Sequence, residues 1–273
     1  MKNWLTLLLA LMAGWLQAQN LSAVEQKIVA EVQRQHSGNL RLLEEIVNIN
    51  SGSLNVKGVR AVGDRLATEF RKIGFTAEWI SLPDSLKRAG HLVAYRKGKT
   101  GKRILMIGHL DTVFEPDMEA NPFRLLNDST ATGQGVVDMK GGNVMMLAIC
   151  QALSNLKLID DATIVCYYTG DEESTGYPEW VSRQDFIDRA KQSDIALGFE
   201  TAQNFGTVAV GRRGSSSWKL SSTGRQSHSA GMFSANGSYG AIYEAARVLG
   251  EIRNQLEGEK YLTISPGVMA GGT

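Results

Sequence analysis

Acidic and histidine side chains occur in several short segments, most of which follow an apolar run, while one precedes a Gly-Gly turn into a helix. The residues concerned are His109, Asp111, Asp138, Glu172, Glu173 and Glu200. A mixture of imidazole and carboxylate ligands is typical of zinc, with cobalt or manganese as substitutes, whereas magnesium and calcium sites are built from oxygen atoms. The residue types therefore indicate a metal centre if the fold brings them together.

The spacing of these residues adds to this prediction. His109 and Asp111 are two positions apart, so in extended chain both side chains point the same way, and the carboxylate can hold the imidazole in the tautomer that a metal requires. Asp138 carries two oxygens and can bridge two ions. Either a His-x-Asp pair or a Glu-Glu doublet alone is more often a hydrogen-bonded or solvated surface pair.

Glu172 and Glu173 are direct neighbours, which in a regular strand would face opposite sides of the sheet. Gly170, just before them, permits a turn that directs both side chains into one cavity. One glutamate can then bind metal while the other acts as a base.

The elements that must position these residues follow from the hydrophobic pattern. Apolar runs predict strands at 76–81, 91–96, 103–108, 163–168 and 195–199, and longer periodic or apolar segments predict helices at 21–48, 59–73, 143–156 and 182–192. Alternation of strands and helices predicts an α/β domain with a mainly parallel sheet covered by helices on both faces. In such a sheet the carboxyl ends of the strands share one edge, where ligands bind. The acidic and histidine residues are therefore expected to converge there.

The pattern changes near Gly211. Residues 215–222 alternate apolar and polar side chains, 238–256 have helical spacing, and 261–264 are again extended in character. This order predicts the beginning of an α+β subdomain.

Composition narrows the possible functions. Lys and Arg number 29 and Asp and Glu 28, giving a net charge of +1, so there is no basic excess for nucleic acid binding.

The first residues, MKNWLTLLLALMAGWLQAQ, have one lysine, a short apolar run and a small residue near the end. This pattern predicts a signal peptide at 1–18. It follows that the protein is expected to be exported to the periplasm or the medium, with no stable membrane insertion after cleavage. An uncleaved anchor is the alternative.

Cys150 and Cys166 lie in apolar runs and are expected to be buried free thiols, although export would permit a disulfide between them.

Four ordered motifs allow a comparison with a known family. GHLDTVF (108–114), GQGVVDMKGG (133–142), TGDEESTG (169–176) and GFET (198–201) resemble the successive signatures of the M20 metallopeptidases, especially the carboxypeptidase G2-like glutamate carboxypeptidases. The resemblance runs from about residue 40 to the end of the sequence. It implies a zinc-exopeptidase-like fold with a catalytic domain at 19–212 and part of a lid or dimerisation domain at 213–273.

The resemblance also implies roles for individual residues. One zinc is held by His109, Asp138 and Glu200, and Asp138 bridges to a second zinc held by Glu173. Asp111 orients His109, and Glu172 is the general acid/base. His228, in TGRQSHSAG, would hydrogen-bond the developing oxyanion, often from the partner subunit of a homodimer; without the motif it would be a surface loop histidine.

The family places a further zinc-binding histidine, and an asparagine and an arginine for the substrate carboxylate, beyond the GGT at 271–273, so the sequence is expected to be a fragment with an unfinished lid. For the whole enzyme the resemblance implies hydrolysis of an amide bond next to a free carboxylate, such as a C-terminal glutamate. An N-acyl-amino-acid deacylase or a dipeptidase with the same site is one alternative. A noncatalytic metal-binding or peptide-binding protein is another.

Overall fold

The computed structural model describes residues 21–202, 204, 206–234 and 236–271. The predicted signal peptide at 1–18 lies outside these residues. The chain divides into two compact units, Met1–Gly206 and Thr207–Thr273.

The first unit contains the α/β elements expected from the hydrophobic pattern. Its helices are α1 (Ala23–Val47), α2 (Val56–Lys72), α3 (Gly141–Asn155) and α4 (Glu179–Lys191). Its strands are β1 (Thr76–Ile80), β2 (His91–Arg96), β3 (Arg103–His109), β4 (Arg124–Asn127), β5 (Thr130–Thr132), β6 (Thr163–Thr169) and β7 (Ile195–Gly198). The short β4–β5 hairpin was not predicted, because its strands are largely exposed and lack an apolar run.

The main sheet has five strands in the order β1-β2-β6-β3-β7. β6, β3 and β7 are parallel, whereas β2 is antiparallel to both β1 and β6. It follows that β2 alone is reversed and the other strands share one direction, which confirms the mainly parallel sheet. The antiparallel pairing of β2 was not foreseen, because strand direction depends on partners that are distant in sequence.

Helices cover both faces of this sheet. Leu92, Met106 and Cys166 point to one face, where they pack with the apolar sides of α1, α2 and α3. The alternate residues Val93, Leu105 and Tyr167 point to the other face, toward Phe186 and Ala190 of α4. This alternation is the period-2 pattern of a strand, and the covered faces confirm the predicted layers.

Local sequence signals define where α2 begins, which of its faces is buried and where it ends. Asn55 caps α2 by accepting a hydrogen bond from the N–H of Gly58 at 3.1 Å. Buried side chains then recur every three or four positions, and the helix ends before Gly74, whose φ is +81°. The buried positions are Val59, Val62, Leu66 and Phe70.

Cys150 of α3 and Cys166 of β6 are buried free thiols whose sulfur atoms lie 3.8 Å apart. The prediction that both cysteines are buried free thiols is therefore confirmed. In the described part of the chain, no helix combines the length and the apolar character that a bilayer crossing demands.

The described residues of the second unit include helix α5 (Gly240–Leu256) and a 3₁₀ turn at Ser229–Gly231. Helix α5 agrees with the predicted segment 238–256. The extended segments predicted at 215–222 and 261–264 form no strand among the described residues of this unit, so that part of the prediction was wrong. Alternation supplies a strand with one apolar face, but a strand also needs a hydrogen-bonded neighbour, and neither segment pairs with a strand in the part of the unit that the structure describes.

Candidate metal centre

The site lies at the carboxyl edge of the parallel strands. His109 is the last residue of β3 and is in register with Thr169, the last residue of β6. The chain after β3 leads to α3 on one face of the sheet, and the chain after β6 leads to α4 on the other. Connections that diverge to opposite faces leave a crevice between the strand ends, as in other α/β sheets.

His109 is buried at the end of β3. Its Nδ1 donates to the backbone carbonyl of Asp111 at 3.0 Å and lies 3.5 Å from the Asp111 carboxylate. Its Nε2 lies 2.9 Å from Asp138 Oδ1 and 3.4 Å from Glu200 Oε1. The shorter Nδ1 contact is thus to the main chain of Asp111 rather than to its carboxylate. Either contact fixes the ring and leaves Nε2 directed at the other acids.

Asp111 connects three parts of the site. Its buried carboxylate accepts hydrogen bonds from the Ser53 hydroxyl at 2.6 Å and from the backbone N–H groups of Glu172 and Glu173, each at 3.0 Å. Burial raises the pKa of Asp111, but the hydrogen bonds from His109 and Ser53 outweigh burial and lower it below its ordinary value. Asp111 therefore stays ionised and holds the Glu-Glu segment next to the histidine.

Asp138 lies in an irregular turn before α3. Gly135 begins this turn with a φ of +71°, and the backbone N–H of Lys140 donates to its carbonyl at 2.8 Å. The Lys140 side chain is fully buried, with Nζ donating to the Ile49 carbonyl at 2.9 Å. These contacts anchor both sides of Asp138, whose own side chain is exposed toward the site.

The pKa values of the site residues are shifted because several carboxylates lie close to one imidazole. Burial lowers the pKa of His109, but the carboxylates of Asp111 and Glu200 overcome this effect and raise it to about 11. Removal from water, together with neighbouring carboxylates, raises the pKa of Glu172 and of Glu173. Such a concentration of negative charge favours a bound cation.

Among the described residues, two groups of side chains can offer ligand atoms that, within each group, all lie within 4.8 Å of one another. One group is His109, Asp138 and Glu200, and the other is His109, Glu172 and Glu173. Imidazole nitrogen with carboxylate oxygens is a donor set suited to zinc, so the residues present fit this metal. The two groups share His109, whereas the sequence prediction has Asp138 as the shared ligand; that assignment stays a prediction.

His228, the remaining predicted site residue, belongs to the second unit. It is exposed, and its Nδ1 accepts a hydrogen bond from the N–H of Ala230 at 3.2 Å at the start of the 3₁₀ turn. The oxyanion role of His228 stays a prediction.

Sequence reasoning missed two buried supporting residues. Ser53 donates to Asp111, and Asn143 Nδ2 donates to the backbone carbonyl of His109 at 2.6 Å. Ser53 lies in a polar segment without a distinguishing pattern. Asn143 carried a usable signal, because it is an amide side chain at the start of a mostly apolar helix.

The fold and the site define an α/β protein with a candidate zinc centre at the carboxyl edge of its sheet. The sequence pattern of Peptidase family M20/M25/M40 matches residues 105–272. The chain belongs to this family, which confirms the resemblance of its motifs.

Individual relatives agree with this assignment. Carboxypeptidase G2 of Pseudomonas sp. (strain RS-16) is 32% identical over 69% of this chain and 45% of its own length. Succinyl-diaminopimelate desuccinylase of Ehrlichia canis (strain Jake) is 29% identical over 69% of this chain and 50% of its own length. The chain thus spans about half the length of these curated relatives.

Solved structures show the same fold at low identity. A tripeptidase from Staphylococcus aureus superposes with a TM-score of 0.54 at 18% identity, covering 78% of this chain and 55% of that one. Human carnosine dipeptidase 1 gives a TM-score of 0.53 at 16% identity, covering 63% and 40%. The zinc-exopeptidase-like fold expected from the motifs is therefore confirmed.

Proposed function

We propose that this chain is part of a two-zinc metallopeptidase that hydrolyses an amide bond next to a free carboxylate, such as that of a C-terminal glutamate. The observation that carries the proposal is the arrangement of carboxylates around His109, with Asp138 and Glu200 on its Nε2 and Glu172 and Glu173 in the second group. Membership of a peptidase family supports the same activity.

Residues of this chain would hold the metal ions. In the proposal His109, Asp138 and Glu200 hold one zinc, and Asp138 with Glu173 contributes to the second; cobalt or manganese are the substitutes. Bound zinc lowers the pKa of water toward neutrality and polarises a carbonyl oxygen.

Glu172 has the features of the general acid/base. Its backbone is fixed by Asp111, its side chain is accessible to solvent, and its partial removal from water together with neighbouring acids raises its pKa. A raised pKa moves a carboxylate closer to the range in which it can accept a proton at neutral pH and return it. Glu172 would accept the proton of the attacking water and deliver it to the departing amine.

The relatives favour two different classes of substrate. The carboxypeptidase G2 relative favours a substrate with a free C-terminal carboxylate. The desuccinylase relatives favour the alternative, an N-acyl-amino-acid deacylase. A dipeptidase stays as a further alternative. All of these use a small peptide or N-acyl amino acid, and none requires nucleic acid.

The test is to purify the full natural protein with zinc and to assay C-terminal glutamate conjugates, N-acyl amino acids and dipeptides side by side. We expect about two zinc ions per chain and hydrolysis of the glutamate conjugates, with activity lost on chelation and restored by zinc. Preference for acyl amino acids would transfer the assignment to the deacylase. Metal binding without hydrolysis of any substrate would support the noncatalytic binder instead.

Export and assembly are further parts of the proposal. The charged and apolar pattern of the first residues supports cleavage after Ala18 and a periplasmic or secreted product without stable membrane insertion. N-terminal sequencing of the protein from cell fractions tests this, since a retained leader in a membrane fraction would favour the anchor. A homodimer, with His228 reaching the partner's site, is tested by sedimentation of the full natural chain.

A further inference from the structure

The loop between β6 and α4 carries both glutamates of the site. On one side of this loop, the N–H groups of Glu172 and Glu173 bond the Asp111 carboxylate. Asp171, directly before them, is fully buried and makes its contacts elsewhere. The loop is therefore held from two sides by different carboxylates.

Asp171 is held by α4 and by its own loop. Its Oδ1 accepts from Arg183 Nη1 at 2.6 Å. Its Oδ2 accepts from the Ser182 hydroxyl at 2.7 Å and from the N–H of Gly176 at 2.9 Å. A buried carboxylate with an ionic partner and several donors is satisfied in its charged form.

Arg183 binds more of the loop than this one carboxylate. Its Nη2 donates to the backbone carbonyl of Asp171 at 3.0 Å and to the Thr175 hydroxyl at 2.8 Å. The guanidinium thus spans residues on both sides of the two glutamates. Its side chain is 16% exposed, so these bonds are largely shielded from water. A planar group with several fixed donors can make such contacts together, whereas the single ammonium of lysine cannot.

His91, the first residue of β2, anchors the start of the same loop. Its Nδ1 accepts from the N–H of Gly170 at 3.2 Å, so Nε2 carries the proton and donates to the Ser182 carbonyl at 2.9 Å. His91 is fully buried. The sheet and α4 therefore hold the loop immediately before Asp171.

We propose that Arg183 and Asp171 form a brace that positions Glu172 and Glu173 for metal binding and proton transfer. Both are positioning residues, since their contacts reach the loop and not the reacting atoms. The functional part of this inference rests on the proposed zinc hydrolase, whereas the effect on the loop does not. Without the guanidinium, Asp171 would be a buried charge lacking its ionic partner, and the loop would relax to rehydrate it.

The first measurement is amide hydrogen exchange of the metal-free protein. We expect Arg183→Met to increase exchange in segment 170–176 while the central strands β3 and β6 keep their protection. Arg189→Met is the matched control, because Arg189 also lies on α4, is 19% exposed and pairs with Glu78 of β1 instead of the loop. It should leave exchange in 170–176 unchanged.

The second measurement is zinc binding. Arg183→Met should weaken one class of zinc site by roughly tenfold or more, as changes in supporting contacts commonly do, and leave the other within about threefold of wild type. Arg183→Lys should restore only part of this loss, because it keeps the charge but not the fork of donors. If the full protein hydrolyses a substrate, kcat should fall much more than KM changes, since the glutamates and not the substrate contacts are displaced.

Unchanged exchange in 170–176 together with wild-type zinc affinities would overturn the brace. So would an equal loss of protection throughout the first unit in Arg183→Met and Arg189→Met, because that result describes general stability. If Arg183→Met does not fold, Ser182→Ala removes one bond to Asp171 and should give a smaller change in the same segment. A protein that hydrolyses nothing but shows the local exchange and zinc effects would keep the brace and end the hydrolase proposal.

Discussion

Replacement of Asp111 by alanine should destabilise the metal-free protein strongly. The buried carboxylate accepts from the Ser53 hydroxyl at 2.6 Å and from two backbone N–H groups at 3.0 Å each. Loss of the acceptor for a buried donor costs about 1–3 kcal/mol. The Ser53 bond is buried and the two amide bonds are partly buried, so the three donors together give a decrease of about 2–3 kcal/mol in the free energy of unfolding.

The assay is chemical denaturation of chelator-treated protein at pH 7, followed by circular dichroism. Asp64→Ala is the control, because Asp64 is an exposed aspartate paired with Arg60 on α2, and loss of such a pair changes stability by less than about 1 kcal/mol. Asp111→Asn keeps one acceptor oxygen and should give an intermediate loss. A decrease for Asp111→Ala no larger than that of the control would refute the view that Asp111 holds the loop and strand ends together.

Further predictions concern catalysis, pH and packing. Glu172→Gln should retain its zinc by metal analysis and lose at least about a hundredfold in turnover; retained activity would remove Glu172 from its role. Burial lowers the pKa of Lys140 to about 8, below the value of about 10.4 in an unfolded chain, so the unfolded state binds more protons between these pH values. The free energy of unfolding should therefore rise by about 2 kcal/mol from pH 8 to 10 relative to Lys140→Met; parallel pH curves would contradict this. Gly142→Ala places a Cβ 2.1 Å from the Phe199 carbonyl oxygen and should lower the free energy of unfolding, measured by denaturation, by about 1–3 kcal/mol. In the control Gly250→Ala the Cβ has nothing within 4 Å, so this variant should stabilise α5 by about 0.5–1 kcal/mol. Equal effects of the two variants would contradict the close approach at Gly142.

Many helices and strands of the first unit could be predicted from the sequence, because the pattern that defines each of them lies within one short segment. The apolar run at 103–108 and the periodic spacing of Val59, Val62 and Phe70 each define an element without reference to distant residues. The rule that parallel strands end at a common edge then brings the segments of His109 and Glu172 to one place. The same local reasoning failed at 215–222, where alternation was present but no described strand pairs with it.

The tertiary structure alone decided how the site is held. The sequence by itself determined the residue types, the strand ends near which most of them lie and the family to which the chain belongs. Nothing in the spacing indicated that Asp111 would bind the amides of the Glu-Glu segment, that Asp171 would point to α4 or that Arg183 would cross its loop. These contacts join residues from separate elements, and their geometry depends on how helices and strands pack around a buried charge. Periodicity reports which face of an element is buried, but only packing determines which partner each buried polar group finds.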